Sequence, residues 1–335
     1  AGVNIFAARL CVLSFALGAC LLMFAIGKRW FDRPTGFFGA MLLVTCPHGF
    51  LWMNDVMLEW PALFWILAAV YAYEKDRETG EAQWSLMFGA TIMAAFMTKQ
   101  TAGFILPVLL LHAAINPRTG MRYWHRPAFV SSVAATAIVI VVYVIATRQY
   151  TALPNQLLAG SVDPLYYPLH FAEVVGWPLL PVALIGLLTF IFSPDRRARG
   201  LLLIWFAAWA VFCSVITAKE PRYFFFALPP VMFAAARFFI RRGEQDSERT
   251  VSLRNDLPRI VLLLAIIAAQ VYLAQSKDTG RLPRYDGVVA ELASRPNADV
   301  VLVDAVREGQ FIFDLYQSEA AKKRIVPLRG SKVLY

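Results

Sequence analysis

The stretch "ITAKEPRYFFFALPPVMF" at residues 216–233 places three ionisable side chains, Lys219, Glu220 and Arg222, between two apolar runs. The whole chain of 335 residues is 59% hydrophobic and only 16% charged, with a mean hydropathy of +0.55. A soluble chain normally carries about a quarter charged residues, so one buried core does not explain this deficit. The composition therefore predicts an integral membrane protein.

Apolar runs near the length of a bilayer span occur about ten times along the chain. Two of them, 84–98 and 101–115, are short, and we expect them to be tilted or to form a hairpin that does not fully cross. The predicted spans are 4–27, 35–52, 56–73, 84–98, 101–115, 127–147, 174–192, 201–218, 222–240 and 258–275. The predicted fold class is an all-α polytopic membrane protein.

Basic residues fall in alternate loops of this arrangement, and such loops are typically cytoplasmic. The basic residues of these loops are Lys28, Arg29 and Arg33; Lys75 and Arg77; Arg118, Arg122 and Arg126; Arg196, Arg197 and Arg199; and Arg241, Arg242, Arg249 and Arg254. The intervening loops, which include 54–61, 148–173 and the quoted turn, are therefore predicted to face outward. Arg- and Ala-rich loops favour a bacterial inner membrane, whose outer side is the periplasm.

The two ends of the chain differ in character. The segments "DVVLVDA" (299–305) and "RIVPL" (324–328) predict strands around a helical stretch, so we expect 276–335 to form a small outward-facing α/β domain beyond a membrane domain at 1–275. The first residue is Ala, and the first span would run from outside to inside. We therefore expect the chain to be a fragment that lacks one upstream helix.

Several function classes find no support in the sequence. The net charge of +9 lies mostly in the predicted cytoplasmic loops, so topology explains it without a nucleic-acid partner. The four cysteines lie in apolar spans without CxxC spacing and the four histidines form no cluster, so neither a disulfide framework nor a zinc site is predicted. No cofactor is predicted, although a divalent metal stays open. A Gly-rich phosphate loop is also missing, which argues against an ATP-driven pump.

The quoted turn holds the first candidate site. Glu220 between Lys219 and Arg222 can orient both cations, and two cations with the hydroxyl of Tyr223 suit a phosphate at the membrane surface. The alternative is a short turn whose charges simply lie in the headgroup layer.

Three further ionisable residues are predicted to lie on the same outer side. Glu59 begins an apolar run and could act as a general base or orient an acceptor, whereas Asp55 could equally be a helix cap or a solvated loop acid. Lys99, in "FMTKQTAGFILP" (96–107), is a second candidate phosphate contact, or else a lysine that extends to the headgroups.

Four segments carry a family resemblance: "AARLCVLSFALGACLLMFAIGKRWFDRPTGFFGAMLLVTCP" (7–47), "MLEWPALFWILAAVYAYEK" (57–75), "GATIMAAFMTKQTAGFILPVLLL" (89–111) and "AKEPRYFFFALPP" (218–230). In this order they resemble the GT-C glycosyltransferases that use polyprenyl- or dolichyl-phosphate sugars. That superfamily includes the protein O-mannosyltransferases and bacterial aminoarabinose, lipid A and lipopolysaccharide sugar transferases. The last segment is also similar to the His-Lys-Glu-x-Arg-Phe pattern of lipid-linked mannosyltransferases, with Ala218 in place of the histidine.

The resemblance implies transfer of one sugar from a lipid phosphate to a lipid, glycan or protein acceptor on the outer side of the membrane. It implies donor-phosphate binding by Lys99, Lys219 and Arg222, and it gives the acidic role to Glu59 or Asp55. The family's principal acid lies in the first outer loop, before the point at which this sequence begins.

A secondary transporter or lipid flippase is the main alternative, since it would also be polytopic and basic. Transporters usually place ionisable residues or broken helices near the bilayer midplane, often in repeated halves. This sequence shows no repeat, and its candidate charges lie at the ends of spans. A non-catalytic membrane scaffold is a third possibility, which the Lys-Glu-x-Arg turn disfavours. Convergence of these charges on one site would favour the transferase.

Overall fold

The structure, a computed structural model, describes most of the chain and is helical almost throughout. The described residues are 5–54, 56–115, 125–147, 163–192, 196–216, 219–240, 253–276, 285–295, 300–303, 311–312, 315–316, 318 and 325–329. The chain divides into two compact units, Arg9–Ala274 and a smaller one that combines Ala1–Ala8 with Gln275–Tyr335.

Helices build the larger unit. In chain order they are α1 Ile5–Trp30, α2 Arg33–Thr45, α3 Pro47–Asn54, α4 Glu59–Thr79, α5 Ala82–Thr98, a 3-10 turn at Gln100–Phe104, α6 Ile105–Ile115, α7 Pro127–Thr147, α8 Tyr166–Val175, α9 Leu180–Ile191, α10 Arg196–Val215, α11 Pro221–Phe224, a 3-10 turn at Phe225–Ala227, α12 Leu228–Ile240 and α13 Leu253–Ser276.

Local sequence signals mark several helix ends. The Asp32 carboxylate accepts a hydrogen bond from the Thr35 backbone N–H at 2.7 Å and caps α2, which has a proline in its first turn. Gly80 ends α4 in the left-handed conformation, with φ of +74°, which a residue with a Cβ rarely adopts. These two caps fix both the start of α2 and the end of α4.

Four helical segments of the described chain are long and apolar enough to cross a membrane: Phe6–Trp30, Pro127–Thr147, Pro221–Ile240 and Leu257–Ser276. The number rises to six if each of two bent helix pairs counts as one span. These apolar helices make the chain an integral membrane protein. The expectation of ten spans stays a prediction. α4 is as long as the four spans, but charged residues crowd its last turns.

α4 and α12 form the enclosed interior of the larger unit. Trp60, Leu63, Ile66, Leu67 and Val70 line one face of α4 and are fully buried. A helix with so wide a buried apolar face belongs inside a bundle rather than at its lipid face. By contrast, α7 and α13 expose much of their apolar surface, as expected of helices that face lipid.

Two broken helices meet at one buried amide. α2 and α3 bend by 70° around Cys46, and α8 and α9 bend by 112° after Val175. The Gln270 side chain of α13 accepts from the Thr45 hydroxyl at 3.3 Å and donates to the Val175 carbonyl at 2.8 Å. At Gly176, which has φ of +96°, an added Cβ would lie 3.0 Å from both the Gln270 amide nitrogen and Pro47 Cδ. Both bends are therefore packed around the same side chain.

The smaller unit contains a helix, α14 Asp286–Ser294, and two strands, β1 Val300–Val303 and β2 Val326–Arg329. The strands pair in parallel, with Val300 opposite Val326. A small apolar cluster beside them includes Val289, Phe311, Leu315 and Ile325. The strands overlap the two predicted strand segments, whereas an outward-facing α/β domain at 276–335 stays a prediction.

Candidate functional site

An ion pair between Glu59 and Lys99 lies at the centre of the candidate site. Lys99 Nζ donates to Glu59 Oε1 at 2.6 Å. Glu59 is the first residue of α4 and its side chain is only 2% exposed, while Lys99 occupies the junction between α5 and the Gln100–Phe104 turn. A buried carboxylate is costly without a cation, so each partner holds the other in place.

Aromatic rings complete the surroundings of Lys99. Its Nζ lies 5.2 Å from the ring centroid of Tyr223 and 5.5 Å from that of Phe226. Contacts of this length between an ammonium and a ring face are attractive, and more so away from water. The Lys99 ammonium thus connects α4 to the segment that contains Tyr223.

A second ion pair, between Glu220 and Arg222, is much more open. Arg222 Nη2 donates to Glu220 Oε1 at 2.8 Å, and the guanidinium carbon lies 5.6 Å from the Tyr223 ring centroid. The two side chains are 45% and 34% exposed. Exposed pairs of this kind contribute little stability, so this pair can exchange partners at low cost.

The pKa of Lys99 shows that the two ion pairs act on each other. Burial holds this pKa below its ordinary value, and the carboxylate of Glu59 opposes that effect. The positive charge of Arg222 lowers the pKa further, while Glu220 raises it. The four side chains therefore form one electrostatic cluster with two cations and two carboxylates.

Lys219, next to Glu220 in the chain, has a different set of partners. Its Nζ donates to the carbonyls of Cys213 at 2.9 Å and Ser214 at 2.8 Å, and lies 5.5 Å from the Tyr167 ring centroid. These carbonyls belong to the last turn of α10, where a lysine satisfies unpaired C=O groups and the helix dipole. In this geometry Lys219 caps a helix, and its assignment to the donor phosphate stays a prediction. Asp55 lies outside the described residues.

The backbone that carries Arg222 and Tyr223 is irregular because of two prolines. Pro229 and Pro230 have no N–H, so the carbonyls of Phe225 and Phe226, four residues earlier, lose their helical donors. Phe225 accepts instead from the N–H of Leu228 in a tighter turn. The Trp205 indole N–H donates to the Phe226 carbonyl at 2.9 Å.

A second indole from α10 holds the same segment one turn earlier. Trp209 Nε1 donates to the Tyr223 carbonyl at 2.9 Å. On the other side, the Tyr167 hydroxyl donates to the Glu220 carbonyl at 3.1 Å, and its ring stacks on Phe224 with centroids 5.6 Å apart. Sequence reasoning missed these three aromatic residues, although two tryptophans four apart before a Pro-Pro pair were a usable signal.

Metal ligation is not evident at this site. Across the described ranges, no three His, Cys, Asp or Glu side chains gather closely enough to hold a metal ion. The structure therefore brings together Glu59, Lys99, Glu220, Arg222 and Tyr223, while the Lys219 amino group contacts the end of α10.

Comparison with known sequences gives one family match. Residues 1–146 match the family model described as dolichyl-phosphate-mannose-protein mannosyltransferase. No curated protein matches the chain by sequence.

Comparison with solved structures covers nearly the whole chain. ArnT from Cupriavidus metallidurans bound to undecaprenyl phosphate is similar with a TM-score of 0.71 and 15% identity, over 96% of this chain and 75% of that one. The apo state of the same protein gives 0.68 and 16%, over 95% and 74%. The apo oligosaccharyltransferase of Archaeoglobus fulgidus gives 0.56 and 13%, over 97% of this chain and 54% of that one. At these identities the likeness concerns the fold, which is the GT-C fold.

Proposed function

We propose that this chain, which has the GT-C fold, is a membrane glycosyltransferase whose sugar donor is a polyprenyl phosphate, with a dolichyl phosphate as the less favoured carrier. One observation carries the proposal: the buried Glu59–Lys99 pair adjoins the half-exposed Arg222 and Tyr223. Such a group offers two cations and a phenol to a phosphate, and a carboxylate to an acceptor. The fold shared with a protein that binds undecaprenyl phosphate supports the same donor class.

The reaction would be a displacement at the anomeric carbon of the sugar. The bond between this carbon and the phosphate oxygen breaks, and the phosphate leaves with the electron pair. A bond forms between the same carbon and the acceptor heteroatom, whose proton passes to a carboxylate. Lys99 and Arg222 would stabilise the charge that grows on the leaving phosphate, which is the usual task of preorganised cations in group transfer.

The cluster of two cations and two carboxylates has no net charge, so phosphate binding needs a change of partners. Glu220 is the carboxylate that can release its cation, because its ion pair with Arg222 is exposed and can exchange partners at low cost. A bidentate guanidinium contact to phosphate replaces the lost ion pair with an equally strong one. The Tyr223 ring contacts both cations, and its hydroxyl can donate to the same phosphate.

Glu59 combines an orienting role with the proposed catalytic one. Its Oε1 is occupied by Lys99, whereas Oε2 has no hydrogen bond within the described part of the chain. The free oxygen can accept the proton of the acceptor, or position its hydroxyl or amine. Asp55, in the preceding loop, is the alternative acid, and Lys219 is a third donor-phosphate cation if its side chain leaves the end of α10.

The membrane orientation, the architecture and the acceptor class belong to the same proposal. We place the site on the periplasmic face of a bacterial inner membrane, since the basic residues fall in the opposite loops. About ten spans and an outward-facing α/β domain at 276–335 complete the proposed architecture. The acceptor is a lipid such as lipopolysaccharide, a glycan or a protein.

A transporter or lipid flippase is the second candidate, because two broken helices meet at the buried Gln270. Transporters commonly build substrate sites from such interrupted helices. Movement of a fluorescent polyprenyl phosphate across proteoliposomes, without sugar transfer and with loss in Gln270→Leu, would support transport and contradict the transferase.

The transferase is tested with the purified chain in nanodiscs and undecaprenyl phosphate as the probe. We expect Lys99→Ala and Arg222→Ala each to weaken binding about tenfold or more, because each removes a charge-assisted contact worth about 1.5–3 kcal/mol. Arg237→Ala is the matched control, since Arg237 is 32% exposed and pairs with Asp32 at 3.3 Å away from the site. Wild-type affinity in both site variants would refute the assignment.

A turnover assay complements the binding assay. With a panel of undecaprenyl-phosphate sugars, Glu59→Gln should slow release of undecaprenyl phosphate more than it weakens donor binding, because the amide keeps the shape but loses the base. Normal turnover in Glu59→Gln with loss in Asp55→Asn would transfer the acidic role to Asp55.

A further inference from the structure

The Glu220 carboxylate occupies the edge of the Arg222 guanidinium that a phosphate would use. Arg222 Nη2 donates to Glu220 Oε1 at 2.8 Å, and Arg222 Nε contacts Glu220 Oε2. Two nitrogens facing two oxygens is the same bidentate geometry by which a guanidinium binds phosphate. Glu220 and a bound phosphate therefore compete for this edge of Arg222.

The backbone of Glu220 is held by two hydrogen bonds, so its carboxylate stays near Arg222 even when the ion pair opens. The Glu220 carbonyl accepts from the Tyr167 hydroxyl and from the Tyr223 backbone N–H, both at 3.1 Å. Pro221 follows directly and restricts the backbone further. A displaced carboxylate therefore moves by rotation of its side chain and stays within about 10 Å of the phosphate. Charges at that distance still act on each other at about 0.1 M salt.

The second carboxylate of the cluster, Glu59, is held differently. Glu59 is 2% exposed and its pair with Lys99 has a length of 2.6 Å, so opening this pair would leave a buried charge without a partner. Glu220 is 45% exposed, so water can solvate its carboxylate at little cost. Phosphate binding therefore displaces Glu220 and leaves Glu59 in place.

The two phosphates of the proposed reaction differ in charge. The phosphate of a lipid-linked sugar is a diester with one negative charge, whereas the lipid phosphate that is released is a monoester, which carries about 1.5 to 2 negative charges near pH 7. Two cations without a nearby carboxylate would hold the product more tightly than the donor. Repulsion from a carboxylate grows with the charge of the ligand, so it opposes this preference.

We propose that Glu220 is a specificity-determining residue that weakens binding of the spent carrier lipid. It competes with phosphate for Arg222 and, once displaced, repels the monoester product more than the diester donor. This inference rests on the proposed function and gives Glu220 a role in product release in addition to orienting the cations. A transferase needs this difference, because a site that retains its product is closed to the next donor.

The test uses Glu220→Gln, which keeps the size of the side chain and removes its charge, with two ligands in nanodiscs. The ligands are undecaprenyl phosphate, a monoester, and undecaprenyl methyl phosphate, a diester with one charge. We expect the variant to bind both more tightly than wild type, with a gain about threefold larger for the monoester. Loss of the competition for Arg222 contributes equally to both gains. One further ligand charge, about 6 Å from the carboxylate in water-like surroundings, adds about a factor of three.

A turnover assay and a matched control separate this role from a general effect of charge. With undecaprenyl-phosphate sugars, Glu220→Gln should lower KM and also lower kcat, because product release becomes slower. Glu173→Gln removes an exposed carboxylate from α8, the helix that carries Tyr167. It should change both affinities by less than about twofold and leave kcat at the wild-type level, because this charge is not tethered beside Arg222.

Every outcome of the binding assay decides the inference. Equal gains for the two ligands, or no gain, overturn it, since Glu220 would then not distinguish product from donor. Weaker binding of both ligands in Glu220→Gln also overturns it, because Glu220 would then hold Arg222 in position for the phosphate. In these cases a loss of binding in Lys99→Ala leaves the proposed function standing. Wild-type binding in Glu220→Gln, Lys99→Ala and Arg222→Ala overturns both.

Discussion

The two ends of α4 both carry buried carboxylates, about 25 Å apart along the helix, yet they are built in opposite ways. At the Glu74 end, Glu74 accepts from the Trp30 indole at 3.3 Å and from Arg77 at 2.7 Å. Asp76, fully buried, accepts from Ser85 and from Arg126, each at 2.8 Å. Every one of these partners comes from the protein itself.

The Glu59 end is partly open to solvent. Glu59 has one described partner and the Glu220–Arg222 pair is half-exposed, whereas the carboxylates of Glu74 and Asp76 are almost fully buried. An exposed ion pair can exchange partners at low cost, whereas breaking a buried one is strongly destabilising. The difference indicates that the Glu74 end joins helices and that the Glu59 end is the candidate site.

The largest expected effect is on stability, at the Glu74 end. Asp76→Ala leaves Arg126 and Ser85 without their buried partner, so the free energy of unfolding should fall by about 3–5 kcal/mol. Denaturant unfolding in detergent measures this, and undecaprenyl phosphate binding by the folded fraction should stay at the wild-type level. A loss of binding greater than the loss of folded protein would contradict the division between the two ends.

The next largest effect is on donor binding, at the Glu59 end. Lys99→Met removes a cation and leaves the buried carboxylate of Glu59 without its ion-pair partner. Donor binding should therefore weaken by about tenfold or more, and the free energy of unfolding should fall. The double variant Glu59→Gln/Lys99→Met should regain most of the stability, because no buried charge remains unpaired. Its binding should stay low. If binding recovers together with stability, the pair is a helix connection like that at Asp76.

A smaller effect is expected from the indole hydrogen bond that holds the Tyr223 backbone. Trp209→Phe keeps an aromatic ring but leaves the Tyr223 carbonyl without its indole donor, which should cost about 1–2 kcal/mol of unfolding free energy. Because Tyr223 and Arg222 share this segment, donor affinity should fall as well. Trp84→Phe is a suitable control, since the Trp84 ring contacts Tyr71 and Lys75 instead. Equal losses of stability and affinity in both variants would show that the Trp209 hydrogen bond has no specific role at the site.

The smallest effect is a displacement of a pH profile. Burial lowers the pKa of Lys99, so its ammonium loses its proton below the ordinary lysine value of 10.5. Donor binding should therefore decline on the alkaline side at a lower pH than an exposed lysine would give. Lys99→Arg, which stays charged, should move this decline to higher pH. An unchanged profile in Lys99→Arg would show that another group titrates.

Much of the fold could be predicted from the sequence, because span-length apolar runs and charges at their ends are local signals. The expected resemblance to GT-C proteins is confirmed at the level of fold. The number of spans could not be settled in the same way. α4 combines a buried apolar face with charged ends, and helices bend at Cys46 and Gly176, so hydropathy alone does not define where each span begins.

The candidate site was predictable only in part. Glu59, Lys99 and Arg222 attract notice as charges beside apolar runs, but no spacing rule pairs Glu59 with a lysine 40 residues later. Trp205 and Trp209, four apart before a Pro-Pro pair, were a usable signal, but the carbonyls that they and Tyr167 bond are identified only by the folded chain. Lys219 shows the converse, because its charge predicts a ligand whereas the end of α10 occupies its amino group.

The amide of Gln270 makes the two bent helices a single cooperative unit. Straightening either bend would leave one half of the amide without a partner, so the bends must form or fail together. α3 precedes Glu59 in the chain, and α8 carries Tyr167 against the Glu220 carbonyl, so both bent helices adjoin the candidate site. In a random mutagenesis screen, substitutions at Gln270 should therefore give the same phenotype as substitutions at Cys46 and at Gly176. A second substitution that restores one bend should also restore the other.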